Sequence, residues 1–139
     1  MTPDALAALH ARAFPVQRPW TEAEFAALLA SPHAVLLTDP MGFLLGRVLA
    51  GEAEILTVAV DPAAQCQGRG RRLLEQFLAD AIAHGATQAF LDVAEDNAPA
   101  LALYARAGFS AVGRRRGYFT RRDGPAFDAI LMARDLPVS

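Results

Sequence analysis

Gln65-Cys66-Gln67-Gly68-Arg69-Gly70 follows the apolar run Ile55-Leu56-Thr57-Val58-Ala59-Val60 and opens a stretch of helical spacing from Arg71 to His84. A glycine-rich turn between a strand and a helix suits a phosphate. Successive backbone N–H groups converge on one concavity, the helix dipole adds partial positive charge, and glycine lets the backbone come close. Arg69, Arg71 and Arg72 add cationic donors. Two common phosphate motifs are excluded. Leu73 stands where the dinucleotide fingerprint needs its third glycine, and no Gly-Lys pair followed by Ser or Thr is present for a P-loop. Glycines at such junctions also serve plain packing, so this loop alone does not decide the chemistry.

A second motif lies downstream, where Leu91-Asp92-Val93-Ala94-Glu95-Asp96-Asn97-Ala98-Pro99-Ala100 leads into Leu101-Ala102-Leu103-Tyr104-Ala105-Arg106-Ala107-Gly108-Phe109. The Q-x-x-G-x-G loop after a strand, with this segment behind it, resembles the GNAT superfamily of N-acetyltransferases. With Arg18-Pro19-Trp20-Thr21-Glu22-Ala23-Glu24-Phe25 and Arg115-Arg116-Gly117-Tyr118-Phe119, the similarity covers nearly the whole chain and is to the ribosomal-protein-alanine N-acetyltransferase branch.

That resemblance implies acetyl-CoA as cofactor and an amine as acceptor, most of all the N-terminal α-amine of a ribosomal protein or peptide. It places the pyrophosphate on the loop of Gln65, Cys66, Gln67, Gly68, Arg69, Gly70 and Arg71. Backbone groups of Val58, Ala59 and Val60 would pair with the pantetheine arm as an added strand does, and would offer an N–H to the thioester oxygen. Asn97 matches the asparagine that contacts the cofactor arm, and it is equally suited to cap the following helix. Tyr104 matches the general acid that serves the departing thiolate.

The family normally has glutamate as base where this chain has Asp92, whose carboxylate sits about 1.5 Å further back, a gap that a water can bridge. Glu54 is the alternative, since other branches carry their base on that strand, and Glu95 is a further one. Trp20, Tyr118 and Phe119 would wall the amine channel, although Trp20 beside Pro19 could equally staple the second helix.

The acceptor must be uncharged to attack. An α-amine of pKa about 7.8 is roughly a third neutral at about pH 7.5, whereas a lysine near 10.4 is only about 0.1% neutral. A short or distant base therefore favours an N-terminal amine. A small-molecule amine or a lysine side chain would require a deeper acidic pocket and a stronger base. A different class of reading is an acyl-CoA-binding module without turnover, motivated by Asp92 in the glutamate position. The chain offers no credible Cys-His or Ser-His pair, so direct attack without an acyl-enzyme is expected.

With 139 residues, 53% apolar and 20% charged, residues 1–139 are expected to form a single domain with a real core. No apolar run approaches the roughly 18 residues that cross a bilayer, and Met1-Thr2-Pro3-Asp4 does not begin like a signal peptide. The lone cysteine excludes an internal disulfide. A cytoplasmic protein without membrane association is expected. His10, His33 and His84 are far apart and none joins other ligands at metal spacing, so no metal is expected. All 13 cations are arginine, and ten follow Gly68, leaving −4 on residues 1–68 and +2 on residues 69–139. The asymmetry suits an anionic cofactor or a ribosomal partner and is too small to argue for DNA binding. Oligomeric state is not encoded legibly.

The elements that must position these residues follow from periodicity. Residues 4–14 are expected to be helical, and a second helix starts at Thr21, where Thr21 and Glu24 form a capping box. Ala34 to Thr38, Phe43 to Ala50 and Glu54 to Val60 read as strands, then Arg71 to His84 as a helix stopped by Gly85. Residues 87–94 form a strand, Asn97 to Gly108 hold a short helix, and Phe109 to Gly113 and Phe127 to Ala133 close the sheet. The resulting expectation is an α/β (α+β) fold, a mixed, mostly antiparallel sheet of about six strands flanked by helices. The resemblance implies one more strand before the first helix. Here the helix begins almost at Met1, so the sheet is expected to lack it.

Overall fold

The computed structural model describes residues 1–137. Thr2 and Thr21 each hold extended backbone before a helix and accept an amide of its first turn, Ala5 N–H at 3.4 Å and Glu24 N–H at 3.2 Å. These caps start α1 (Pro3–Ala13) and α2 (Glu22–Leu29). The capping box is complete, because the Glu24 carboxylate accepts Thr21 N–H at 3.1 Å. Both Glu24 oxygens also bind Arg18, at 2.8 and 3.0 Å. That pairing lowers the Glu24 pKa to about 2.

Next come β1 (Ala34–Asp39), β2 (Gly42–Leu49) and β3 (Glu52–Val60), joined by tight turns, the second with Ala50 and Gly51 both at positive φ. A short turn of helix at Pro62–Ala64 leads to α3 (Arg69–Ala83), β4 (Gln88–Ala94), α4 (Ala98–Arg106), β5 (Ser110–Phe119) and β6 (Phe127–Asp135). Gly85 and Gly108 end α3 and α4 at φ +86 and +91. The six strands form one sheet in the order β1-β2-β3-β4-β6-β5. Its pairs are antiparallel except β3 with β4, which is parallel. β1 and β5 form the two edges, and no strand precedes β1 among the described residues.

One strand is longer than its sequence suggests. β5 continues past Gly113 through Arg114, Arg115 and Arg116 to Phe119, with register shifts at Ala111/Gly113 and Arg115/Phe119. This strand is exposed almost throughout, so no apolar alternation marks it. Asp128 on β6 secures it, accepting the Gly117 N–H at 2.9 Å and Arg114 at 3.0 Å.

Both faces of the sheet are covered. Leu73, Leu74 and Phe77 of α3 and Tyr104 of α4 pack on Leu44, Ile55, Leu91, Val93 and Met132. Leu6 and Leu9 of α1 and Phe25 of α2 pack on Phe43, Leu45 and Ala59. Along β2 the faces alternate as a pleat demands, but β3 breaks the rule. Ala53 and Ile55 face α3, and so does Val58, whereas Leu56 and Ala59 face α1 and α2. The cause is a bulge at Leu56: the register runs Leu45↔Thr57 and then Gly46↔Ile55, leaving Leu56 unmatched. An extra residue inverts the alternation beyond it. Gly46 sits against this irregularity, and a Cβ there would lie 2.7 Å from the Phe77 ring.

Candidate active site

The bulge marks the place where the sheet opens. β3 and β4 pair from Glu52↔Gln88 to Ile55↔Leu91 and then part. Leu56, Thr57 and Val58 of β3 form one wall of the resulting cleft, and Asp92, Val93 and Ala94 of β4 the other. Asn97, Ala100 and Tyr104 of α4 enclose it, as do Phe14, Gln17 and Trp20 from the α1–α2 connection and Phe119 of β5. Beyond Ile55, the backbone of β3 that would have met β4 has no ladder partner there. Such groups can accept an extended chain as an added strand.

At the end of β3 lies the glycine loop, tied down by Gln65 Nε2 donating to the Val60 carbonyl at 3.1 Å. Exposed Cys66 and Gly68 both take positive φ, 63° and 76°. Gly68 caps α3 without any side-chain acceptor, so the first-turn amides have no internal cap. An anion is what such a helix start accepts. A Cβ at Gly70 would make only ordinary contacts, with Leu103 at 3.7 Å and Val58 and Val60 at 3.8 Å, so packing inside the protein does not itself require glycine there.

The arginines of the loop are engaged with protein groups. Arg69 binds both oxygens of Asp39, each at 3.1 Å. Arg71 pairs with Glu75 at 2.9 Å, and Arg72 donates to the Gln67 carbonyl at 3.2 Å. Arg69 and Arg72 brace the loop, Arg71 pairs along α3 itself, and the first-turn backbone amides are open to a phosphate. Asp39 stays well below the usual carboxylate range, chiefly through the Met41 N–H and secondarily through Arg69.

Asp92 and Tyr104 reach the cleft from β4 and α4. The Asp92 side chain is 12% exposed, and its Oδ1 lies 3.0 Å from Arg115 Nε. The contact lacks hydrogen-bond alignment, so this buried oxygen has a charge partner and no hydrogen-bond donor among the described residues. Arg115 also rests over the Tyr118 ring at 5.4 Å, and Tyr118 meets Phe119 edge-on at 5.1 Å. Tyr104 is buried, and desolvation pushes its phenol far above the ordinary value. Asn97 Oδ1 accepts the Ala100 N–H at 3.2 Å, so it caps α4 while also lining the cleft.

Other sequence candidates stand apart. Glu54 faces Arg47 across the β2–β3 ladder, its Oε1 2.8 Å from Arg47 Nε, and it is not part of the cleft lining. Tyr118 is half exposed behind Phe119 and also outside the lining. Trp20 does two things: it lines the cleft, and it stacks on His10 with ring centroids 5.0 Å apart. Among the described residues, no three His, Cys, Asp or Glu gather into a metal-binding group.

Comparison with known proteins identifies the family. The model of the acetyltransferase (GNAT) family matches residues 4–109. The chain belongs to this family. It is 36% identical over 99% of its length, and 94% of the relative's, to the ribosomal protein bS18-alanine N-acetyltransferase of Escherichia coli K12. It is 41% identical to the N-alpha-acetyltransferase RimI of Mycobacterium tuberculosis, over 93% of this chain and 84% of that one. The crystal structure of the Escherichia coli ribosomal-protein-S18-alanine N-acetyltransferase superposes with a TM-score of 0.86 at 32% identity, covering 99% of this chain and 89% of the other. The protein is therefore a GNAT N-acetyltransferase on the ribosomal-protein-alanine branch.

Three features of this GNAT cleft escape sequence reading. Phe14 and Gln17 become walls because the α1–α2 connection zips onto the β5–β6 connection: Arg18 N–H to the Thr120 carbonyl at 2.6 Å and Arg122 N–H to the Val16 carbonyl at 2.9 Å. Arg122 adds bonds to the Ala11 and Phe14 carbonyls at 2.6 and 3.0 Å, closing the end of α1. Leu56 opens the cleft through a bulge that a smooth apolar run conceals. Arg115 reads as one member of a solvated arginine run, and only the pairing of β5 with β6 brings it to Asp92.

Proposed function

We propose that this enzyme transfers acetyl from acetyl-CoA to the N-terminal α-amine of a ribosomal protein, one that begins with alanine. The observation that carries the reading is the convergence of Asp92 and Tyr104 on one cleft, opened where β3 and β4 part. The relatives named for N-terminal and ribosomal-protein-alanine acetylation support the choice of acceptor. Residues 1–139 would act as one catalytic domain, in the cytoplasm where such an acceptor is found.

Acetyl-CoA supplies an activated thioester carbonyl. The backbone of Leu56 to Val60 on the side away from β2, apart from the Val60 carbonyl that Gln65 already occupies, fits an extended pantetheine arm, and the uncapped amides of Arg69, Gly70 and Arg71 fit its pyrophosphate. Asn97 stands beside the arm's path in the cleft. Asp92 Oδ1, a buried acceptor without a donor, is positioned to receive an N–H of the amine and then its proton. Tyr104 keeps its proton throughout the neutral range. Being a far weaker acid than a thiol of pKa about 8.5, it serves the departing sulfur by donating a hydrogen bond. Trp20 and Phe119 line the approach of the acceptor, with Tyr118 behind Phe119.

The test is release of free coenzyme A from acetyl-CoA at about pH 7.5 with an alanine-initiated hexapeptide copied from the bS18 N-terminus, beside an N-blocked peptide containing lysine. Turnover with the free N-terminus alone is expected. Turnover confined to lysine would replace the acceptor by a side chain, and tight cofactor binding without turnover on any amine would make the protein a binding module.

A further inference from the structure

Asp92 and Arg115 form an unusual pair for a catalytic base. Arg115 Nε is 3.0 Å from Asp92 Oδ1, close enough to offset the carboxylate's charge, yet the contact is misaligned and Oδ1 receives no hydrogen bond from the described residues. The nearby charges are compensated too: Glu54 by Arg47, and Glu95 and Asp128 by Arg114, with Arg116 also in the field of Asp128. The Arg115 head also lies over the Tyr118 ring, 5.4 Å from its centroid. The cleft thus presents a hydrogen-bond acceptor with little net negative charge.

An ammonium group and a neutral amine respond oppositely to such a site. The ammonium gains from a bare carboxylate by Coulomb attraction, and loses that gain when a fixed cation already occupies the carboxylate's field. A neutral amine needs only a lone pair to which it can donate, and Oδ1 keeps one free. Attack on a thioester requires the neutral form. We propose that Arg115 is a specificity-determining residue: it neutralises Asp92 without hydrogen-bonding the catalytic oxygen, so the site admits uncharged α-amines and gives no advantage to ammonium groups such as a lysine head. The inference rests on the acceptor and base assigned above.

The experiment compares wild type, R115Q and R115K, all carrying coenzyme A, by calorimetric titration at about pH 6, where an α-amine is almost wholly charged. The probes are the alanine-initiated hexapeptide and its des-amino analogue, in which hydrogen replaces the amine. Wild type and R115K are expected to bind the two within about twofold, and R115Q to bind the charged peptide about tenfold more tightly than the analogue. In turnover, the ratio of α-amine to lysine acetylation falls about tenfold in R115Q and returns in R115K. A purely structural role for Arg115 would weaken both peptides alike and leave both ratios unmoved. Equal binding of the two probes by R115Q, or a wild type that already prefers the ammonium, overturns the inference while wild-type turnover leaves the acceptor reading standing. A wild type silent toward both acceptors overturns the reading and this inference with it.

Discussion

The Trp20 backbone N–H donates to His10 Nδ1 at 3.2 Å. That bond leaves the imidazole proton on Nε2, a fully buried nitrogen with no partner among the described residues. Phe14, Trp20 and Phe25 surround the ring at centroid distances of 4.5, 5.0 and 5.7 Å. The histidine therefore holds Trp20, a cleft wall, to α1.

Burial lowers the His10 pKa from 6.5 to about 4. The unfolded chain binds a proton more readily than the folded one between these values, so stability is full above pH 6.5 and is lost as pH falls toward 4. The loss amounts to about 3 kcal/mol across the window. Urea unfolding at closely spaced pH values should show it. His10→Gln, which keeps an acceptor for Trp20 N–H but does not titrate, should flatten that part of the curve.

Tyr104→Phe should lower kcat about a hundredfold with cofactor affinity unchanged. The ring's edge-on packing against Phe109, at 5.9 Å, survives the substitution, so thermal stability should hardly move. Single-turnover kinetics with coenzyme A titrations separate the two effects, and undiminished turnover would remove Tyr104 from the chemistry.

Asp92→Asn and Glu54→Gln decide the base. Asp92 lines the cleft, so its amide should cost about a hundredfold in kcat, while Asp92→Glu stays active. Glu54→Gln loosens a cross-strand pair with Arg47 and should leave kcat within about threefold. The reverse ranking in parallel assays would transfer the role to Glu54.

Gly46→Ala should destabilise the fold by about 1–3 kcal/mol. The new methyl would stand 2.7 Å from both the Phe77 ring and the Glu54 carbonyl, in the ladder that carries the Leu56 bulge. Chemical denaturation reads the change as a shift in midpoint at unaltered slope.

Local chemistry made much of this legible in advance. Thr21 with Glu24, Asn97, Gly85 and the turn after Asp39 announce where elements begin and end because each satisfies or redirects its own few backbone groups. The glycine loop and the Tyr104 segment were readable for the same reason, being contiguous. What stayed hidden depends on partners distant in the chain. β5 beyond Gly113 exists because Asp128 and β6 hold it, and the Asp92–Arg115 contact follows from that pairing. The bulge at Leu56 is an agreement between two strands, and neither strand's residues betray it alone.

Four register pairs, from Glu52↔Gln88 to Ile55↔Leu91, are what joins β3 directly to β4. Mechanically, that makes the sheet two panels hinged along a short seam, splayed like a partly opened book. An extended ligand lodged in the splay would act as a rivet, carrying load between the panels that the backbone itself does not. Loading the enzyme should thus stiffen it: hydrogen exchange along Leu56 to Val60 should slow far more than in β1 or β2, and catalysis and rigidity would be acquired in the same event.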